Sequence, residues 1–401
     1  MAKQKQLLVI SSYPEKGSVH GKKTVGVASY TKNTLLALKK ESPNLEITVL
    51  AEQFNKIETY QEQGILIKRI WKRNSFLSVV KIFKYLLDNR EKSVLICFEG
   101  FMFGRAPFTG CFLASLTLAK ILGSKNYLIL HQVVEDFRKI EKNKIKAFFL
   151  NSINRLFQKT LLVSVSKIIV FEQHLAKVLG NNKKVVFIPH AIENVKPINQ
   201  KTAQKQLKLN GENFQALYFG FLSPYKGVDL LIKNWPNDKN LKLILAGDGN
   251  PNHLKEKAYV NFVKKIKAEA QRKGVMTAGF VPEKEIGKFF SATNVVILPY
   301  QAFFSSSGPL SLAFAYLKPV LLSINLKKYL ASRDFNQALK KAGLNPKDIF
   351  FNPKNKIDLK AKIINLKKKE NKFKQLSSIL KNERSWRKIA QNYLELLDLN
   401  Q

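Results

Sequence analysis

Short apolar runs alternate with stretches of helical period along almost the whole chain. QLLVIS at 6–11, then 46–50, 64–67, 94–98, 127–130, 167–171 and 185–188 read as strands, most with a helical pattern between them. A helix is expected over 27–40, with Val27, Tyr30, Thr34, Leu35 and Leu38 on one face. The pattern then lapses over 192–211, IENVKPINQKTAQKQLKLNG, which is polar, and a second series begins. Strands are expected at 216–219, 241–246, 275–280, 295–298 and 319–323, with helices at 228–233, 258–273 and 283–291. Strand–helix alternation of this kind predicts parallel sheets covered on both faces. The fold class is therefore α/β, with two Rossmann-like domains: 1–190, a linker at 191–212, and 213–380. SWRKIAQNYLELLDL places Trp386, Ile389, Ala390, Tyr393 and Leu397 on one face, so 381–401 is expected as a terminal helix packed back on the body.

The most informative stretch is NVVILPYQAFFSSSGPLSLAFAYLKPV, 294–320. A buried strand runs into a loop with Ser305, Ser306, Ser307 and Gly308, and Pro309 suits the first helical position because its φ is already helical. Strand, serine–glycine loop and helix start together make a place for an anion. The N–H groups of Leu310, Ser311 and their neighbours, with the positive end of the helix, would face a phosphate. An ordinary serine-capped loop has the same sequence, so both readings stand at this point. GSVHGKKT, 17–24, is a glycine-rich turn that misses the spacing of a nucleotide-triphosphate loop: three residues separate Gly17 from Gly21, and Lys23 precedes Thr24.

Composition adds less. With 401 residues and 45% hydrophobic content the chain can bury two cores. Cys97 and Cys111 have no metal-ligand spacing and read as reduced thiols. The N-terminus runs straight into a strand without a signal-peptide pattern, and the longest apolar stretch, 108–122, is too short for a bilayer, so no transmembrane helix is expected. The net charge of +39 is spread along the chain. It reads either as a lysine-rich composition bias or as attraction to an anionic membrane surface; nucleic acid ranks lower because no nucleic-acid motif accompanies it. The segment 142–162 mixes Lys and Arg with Phe148, Phe149, Ile153, Leu156 and Phe157 at helical spacing. That fits an interfacial helix, and equally a helix packed on its own sheet.

The ordered series YFGFLSPYKGVDLLI, LILAGDG, TAGFVPEKEIGKFFSATNVVILPY and LAFAYLKPVLLS resembles the C-terminal domain of GT-B glycosyltransferases of the family 4 type. ISSYPEKG, GVASYTKNTLLAL, LILHQ, VSKIIVFEQHLAKVL and FIPHAIE are similar to its N-terminal domain. The resemblance covers nearly the whole chain and implies two domains facing across a cleft. It also implies transfer of a hexose-type sugar from a nucleotide-sugar donor to a glycan or lipid-linked acceptor, with retention of configuration. By this likeness Lys226 binds the donor diphosphate, Gly26 lets a helix start approach it, and His131 lines the sugar pocket. Lys226 and His131 are the catalytic candidates, whereas His190 reads as structural. The donor site would be Gly26, Lys226, Ser305, Ser306, Ser307, Gly308, Pro309, Leu310 and Ser311.

The sequence departs from the family at three points. Phe221 replaces an arginine, Val25 replaces the first glycine of the N-terminal pair, and the usual two glutamates are Phe304 and Leu312. A catalytically silent protein of the same fold, binding a glycan, nucleotide or protein partner, is therefore the second expectation. There is no D-x-D sequence, so neither metal nor cofactor is expected. The expected location is cytoplasmic, at the inner membrane face.

Overall fold

The computed structural model describes residues 5–18, 26–100, 102–139, 141 and 143–399. The chain divides into two compact units, one running to His190 and resuming at Trp386, the other spanning Ala191–Ser385.

In the first unit the strands are β1 (Gln6–Ser11), β2 (Glu46–Glu52), β3 (Glu58–Glu62), β4 (Ile65–Trp71), β5 (Ser93–Phe98), β6 (Lys125–Leu130), β7 (Lys167–Val170) and β8 (Val185–Phe187). Their order is β3-β4-β2-β1-β5-β6-β7-β8, parallel except for the β3/β4 hairpin. The helices are α1 (Gly26–Glu41), α2 (Phe76–Asp88), α3 (Ala106–Ile121), α4 (Lys144–Ser164) and α5 (Gln173–Val178). Strands such as β1 and β5 are buried nearly throughout, as expected of a sheet covered on both faces. The hairpin strand β3 was not anticipated: its sequence ETYQE buries only Tyr60, so no apolar run marks this edge.

The second unit has α6 (Gln200–Gln206), β9 (Phe214–Phe219), α7 (Val228–Lys233), β10 (Leu241–Ala246), α8 (Lys257–Arg272), β11 (Met276–Gly279), α9 (Glu283–Ala292) and β12 (Val295–Leu298). It continues with α10 (Gly308–Ala315), β13 (Val320–Ser323), α11 (Arg333–Lys341), α12 (Pro346–Ile349), β14 (Phe350–Phe351), α13 (Lys356–Lys368) and α14 (Glu370–Glu383). The all-parallel order β11-β10-β9-β12-β13-β14 is the doubly wound 3-2-1-4-5-6 arrangement. The order reverses between β9 and β12, so the crevice beyond their carboxyl ends is where a ligand binds in such sheets.

The stretch expected as a linker is folded into this unit. Ala191 and Ile192 are buried, Ile192 pairs with Ser385, and the Asn199 side chain caps α6, which buries Ala203 and Gln204 and packs on α9. One buried stripe on an otherwise polar helix is too faint a signal in sequence. At the other end, 381–383 close α14, Arg384 and Ser385 follow it, and the terminal helix is α15 (Trp386–Leu396), packed on α1 of the first unit. Its buried residues Ile389, Ala390 and Tyr393 are those of the expected face.

Candidate functional site

At the reversal point of the second unit, the loop after β9 makes a single 3-10 turn, Pro224–Lys226, before α7. Gly227 ends that turn at φ 66°, a left-handed conformation that costs glycine little, and a Cβ there would collide with the Pro299 carbonyl. This close approach fixes the β9 loop against the end of β12. Gln301 secures the same contact: its N–H donates to the Tyr225 carbonyl at 2.7 Å and its side-chain amide to the Pro224 carbonyl at 2.9 Å.

Lys226 is thereby held inward. Its ammonium lies 5.9 Å from the centre of the Tyr300 ring, and burial pushes its pKa down to about 8. Among the described residues no carboxylate comes within ion-pair distance of it. Gly220, at φ 122°, leaves the space in front of it open: a Cβ at 220 would sit 3.0 Å from Lys226 Nζ and 3.5 Å from Pro309 Cγ. Lys226 and the start of α10 therefore converge on one point. Gly220 is the residue that sequence reasoning missed; its signal was a glycine directly after the strand at the reversal.

The start of α10 differs from expectation in its details. Ser307, not Gly308, is the N-cap, Gly308 is the first helical residue, and Pro309 is second. The Ser307 hydroxyl accepts the Leu310 N–H at 3.4 Å and lies 3.1 Å from the Tyr300 hydroxyl. The Ser311 N–H donates to the Ser307 carbonyl at 3.0 Å. Two donors expected to face an anion, those of Leu310 and Ser311, are thus used within the helix, because a serine cap satisfies the third helical N–H and the fourth is bonded by helix geometry. Open space remains at Gly308, which is exposed and where a Cβ would meet nothing within 4 Å. Ser305 donates to the Ser306 carbonyl at 3.1 Å, and Ser305, Ser306 and Ser311 are half-buried. Phe304, at the first missing glutamate position, packs edge-on against Tyr225 at 5.2 Å, and Leu312, at the second, is half-buried.

Gly26 and His131 belong to the first unit. Gly26 opens α1, exposed, with nothing within 4 Å of where a Cβ would be; Gly21, Lys23, Thr24 and Val25 lie outside the described residues. One turn further on, Tyr30 meets His131 edge-on at 5.3 Å, and Phe171 meets it at 5.1 Å. His131 is 8% exposed and its Nε2 has no hydrogen-bond partner. Burial, with a smaller contribution from His190, pushes its pKa from 6.5 down to about 3, so the imidazole is neutral. His190 packs on Tyr30 at 4.8 Å and Phe171 at 5.4 Å. Cys97 is buried and its thiol is pushed up to about 11, chiefly by that burial; Cys111 is exposed and also free.

Taken as a whole, the fold is that of GT-B glycosyltransferases, with two parallel-sheet Rossmann-like units in one chain. Residues 199–386 match the family model Glycosyl transferases group 1. Over 99% of its length the chain superposes on all of sucrose-phosphate synthase from Thermosynechococcus elongatus, with a TM-score of 0.72 and 15% identity. It also superposes on HepE of Anabaena in complex with UDP-glucose, with a TM-score of 0.62 and 15% identity, covering 98% of this chain and 99% of that one. In sequence it is 26% identical over 186 residues to the lipopolysaccharide 1,2-N-acetylglucosaminetransferase of Salmonella typhimurium, a match taking in 43% of this chain. The chain thus spans about half, 48%, of the length of that curated relative.

Proposed function

We propose that the chain is a glycosyltransferase moving a hexose-type sugar from a nucleotide-sugar donor to a glycan or lipid-linked acceptor of the cell envelope, with retention of configuration. The observation that carries this reading is the convergence of Lys226 and the α10 start on the space at Gly220, with no acid among the described residues countering the lysine. A half-buried, partly desolvated ammonium without a counter-charge is costly unless a ligand supplies one, and a nucleotide diphosphate does so. In the reaction Lys226 and the helix start hold the leaving diphosphate and offset its developing charge, which is electrostatic catalysis requiring no metal. The neutral His131 imidazole is assigned to hydrogen-bonding a sugar hydroxyl through Nε2. A UDP-sugar bound to a structural neighbour and a lipopolysaccharide transferase among the relatives favour a nucleotide sugar and an envelope glycan as substrates. We place the protein in the cytoplasm, peripheral to the inner membrane face; among the described residues no helix is long and apolar enough to cross a membrane.

Phe304 and Leu312 favour a second reading, a catalytically silent protein of the same fold that retains its nucleotide site. Thermal shift with UDP, GDP, ADP and their sugars, beside Lys226→Met, tests nucleotide binding. Mass spectrometry for sugar transfer or nucleotide-sugar hydrolysis then separates the two. Stabilisation by one nucleotide, lost in the variant, together with turnover supports the enzyme; stabilisation without turnover supports the silent protein. Indifference to every nucleotide removes both.

A further inference from the structure

Helix α4 buries only a narrow face, with Ala147, Leu161 and Ser164 buried and Phe157 6.0 Å from the Phe98 ring. Its amide side chains face the body: Asn154 donates to the Val134 carbonyl at 2.8 Å, Gln158 to the same oxygen at 3.3 Å, and Asn151 accepts from the Phe137 N–H at 2.8 Å. Its large apolar side chains point outward, with Phe148 67%, Phe149 62%, Ile153 64% and Leu156 67% exposed. Of the five apolar residues at helical spacing, Phe157 is turned inward on Phe98 and the other four lie in solvent.

Neighbouring helices of the same unit expose apolar residues as well. α3 packs on α4, where the hydroxyls of Thr117 and Ser164 lie 2.7 Å apart, and exposes Leu118 and Ile121. α2 packs on α3, with Phe76 and Phe108 ring centres 4.5 Å apart, and exposes Leu77 and Val80. The charges carried by the three helices are almost all of one sign, although Glu141 pairs with Lys146 at 2.7 Å at the start of α4. α3 and α4 contain no acid and α2 only Asp88, whereas Lys81, Lys84, Lys144, Arg155 and Lys159 are exposed.

We propose that the outer face of α4, continued by α3 and α2, seats the protein on a lipid bilayer containing anionic lipids. Apolar side chains rimmed by lysine and arginine match an interface in which acyl chains lie beneath acidic headgroups. Charge selects this occupant over a second copy of the chain, which would set the exposed lysines and arginine of these helices against their own counterparts. The surface belongs to the first unit and the Lys226 site to the second, and the inference does not rest on the transferase reading.

The test is co-sedimentation of the full chain with vesicles of phosphatidylcholine alone and of phosphatidylcholine with phosphatidylglycerol, without nucleotide. Binding is expected to the anionic vesicles, weakening as salt rises. Phe148→Ser with Phe149→Ser is expected to lower partitioning by on the order of tenfold or more at an unchanged melting temperature. A Phe149→Trp variant supplies a readout that does not depend on the serine pair folding: brominated lipids should quench the introduced indole. Failure to sediment with either vesicle would overturn the proposal, as would binding insensitive to the serine pair or an indole that brominated lipid leaves unquenched. A dimer in light scattering that the serine pair dissociates would assign the face to a second copy instead.

Discussion

The hydroxyls of Tyr30 in α1 and Tyr393 in α15 lie 3.1 Å apart, both side chains buried, although 363 positions separate them. This contact and the Ser93 hydroxyl, which donates to the Leu397 carbonyl at 2.8 Å, tie the end of the chain into the first unit. Tyr30→Phe or Tyr393→Phe alone leaves a buried hydroxyl with one partner fewer, at a cost of about 1–3 kcal/mol. The double substitution removes both polar groups and should cost less than the two singles added together. Chemical denaturation of the four proteins measures this; strict additivity would mean that the two hydroxyls do not interact.

Lys226 should make nucleotide binding pH-dependent. A bound diphosphate favours the ammonium, so above about pH 8 binding must take up a proton. Affinity then falls by up to about tenfold per pH unit. Without ligand the sign is opposite: the folded pKa is about 8 against 10.5 for the ordinary lysine, so the unfolded chain binds more protons between those values and stability rises with pH there. Below pH 8 the whole burial penalty is present. Lys226→Met removes it and should raise the melting temperature at pH 7 by about 2–4 °C while abolishing nucleotide-induced stabilisation. Calorimetry in buffers of different ionisation enthalpy detects the proton uptake.

Two glycines near Lys226 should respond differently to alanine. At Gly220 the φ of 122° strains any L side chain, and the new Cβ lies 3.0 Å from Lys226 Nζ and displaces it. Gly220→Ala is expected to cost about 1–3 kcal/mol of stability and to weaken nucleotide binding. At Gly308 a Cβ meets nothing within 4 Å, so Gly308→Ala should leave stability within about 0.5 kcal/mol. If a phosphate approaches the start of α10, the same methyl will still lower affinity several-fold. Melting curves with and without nucleotide separate the two effects.

The sheet strands were legible because a parallel strand buried on both faces has to be an unbroken apolar run, as VVIL at β12 is. Edge elements lack that constraint, so β3 went unread, as did the two-residue β14. Lys226 was legible through its Lys-Gly context, and the serine–glycine loop through its composition. Which serine caps α10 was not, since Ser305, Ser306 and Ser307 are all competent caps and only the packing of Ser307 against Tyr300 decides. The orientation of α4 was equally hidden: its apolar residues lie both inward, as Phe157 and Leu161 do, and outward, as Phe148, Phe149, Ile153 and Leu156 do, so periodicity does not say which set is buried.

His131 should give the protein an acid-labile first unit. In the fold the imidazole is held neutral, with a pKa of about 3 against the ordinary 6.5, so the unfolded chain takes up a proton first as the pH falls. The stabilising contribution is complete above pH 6.5 and is lost progressively toward pH 3; at pH 4 the loss is on the order of 3 kcal/mol. His131→Phe keeps an aromatic ring between Tyr30 and Phe171 and removes the titrating group. Its melting temperature should therefore fall less steeply between pH 6.5 and 4 than that of the parent. The same variant tests the assigned ligand role. If Nε2 hydrogen-bonds a sugar hydroxyl, His131→Phe will lower turnover at pH 7 by about 10–100-fold while leaving nucleotide binding intact. If turnover is unchanged and only the acid slope flattens, His131 belongs to the packing of the first unit and has no contact with the sugar.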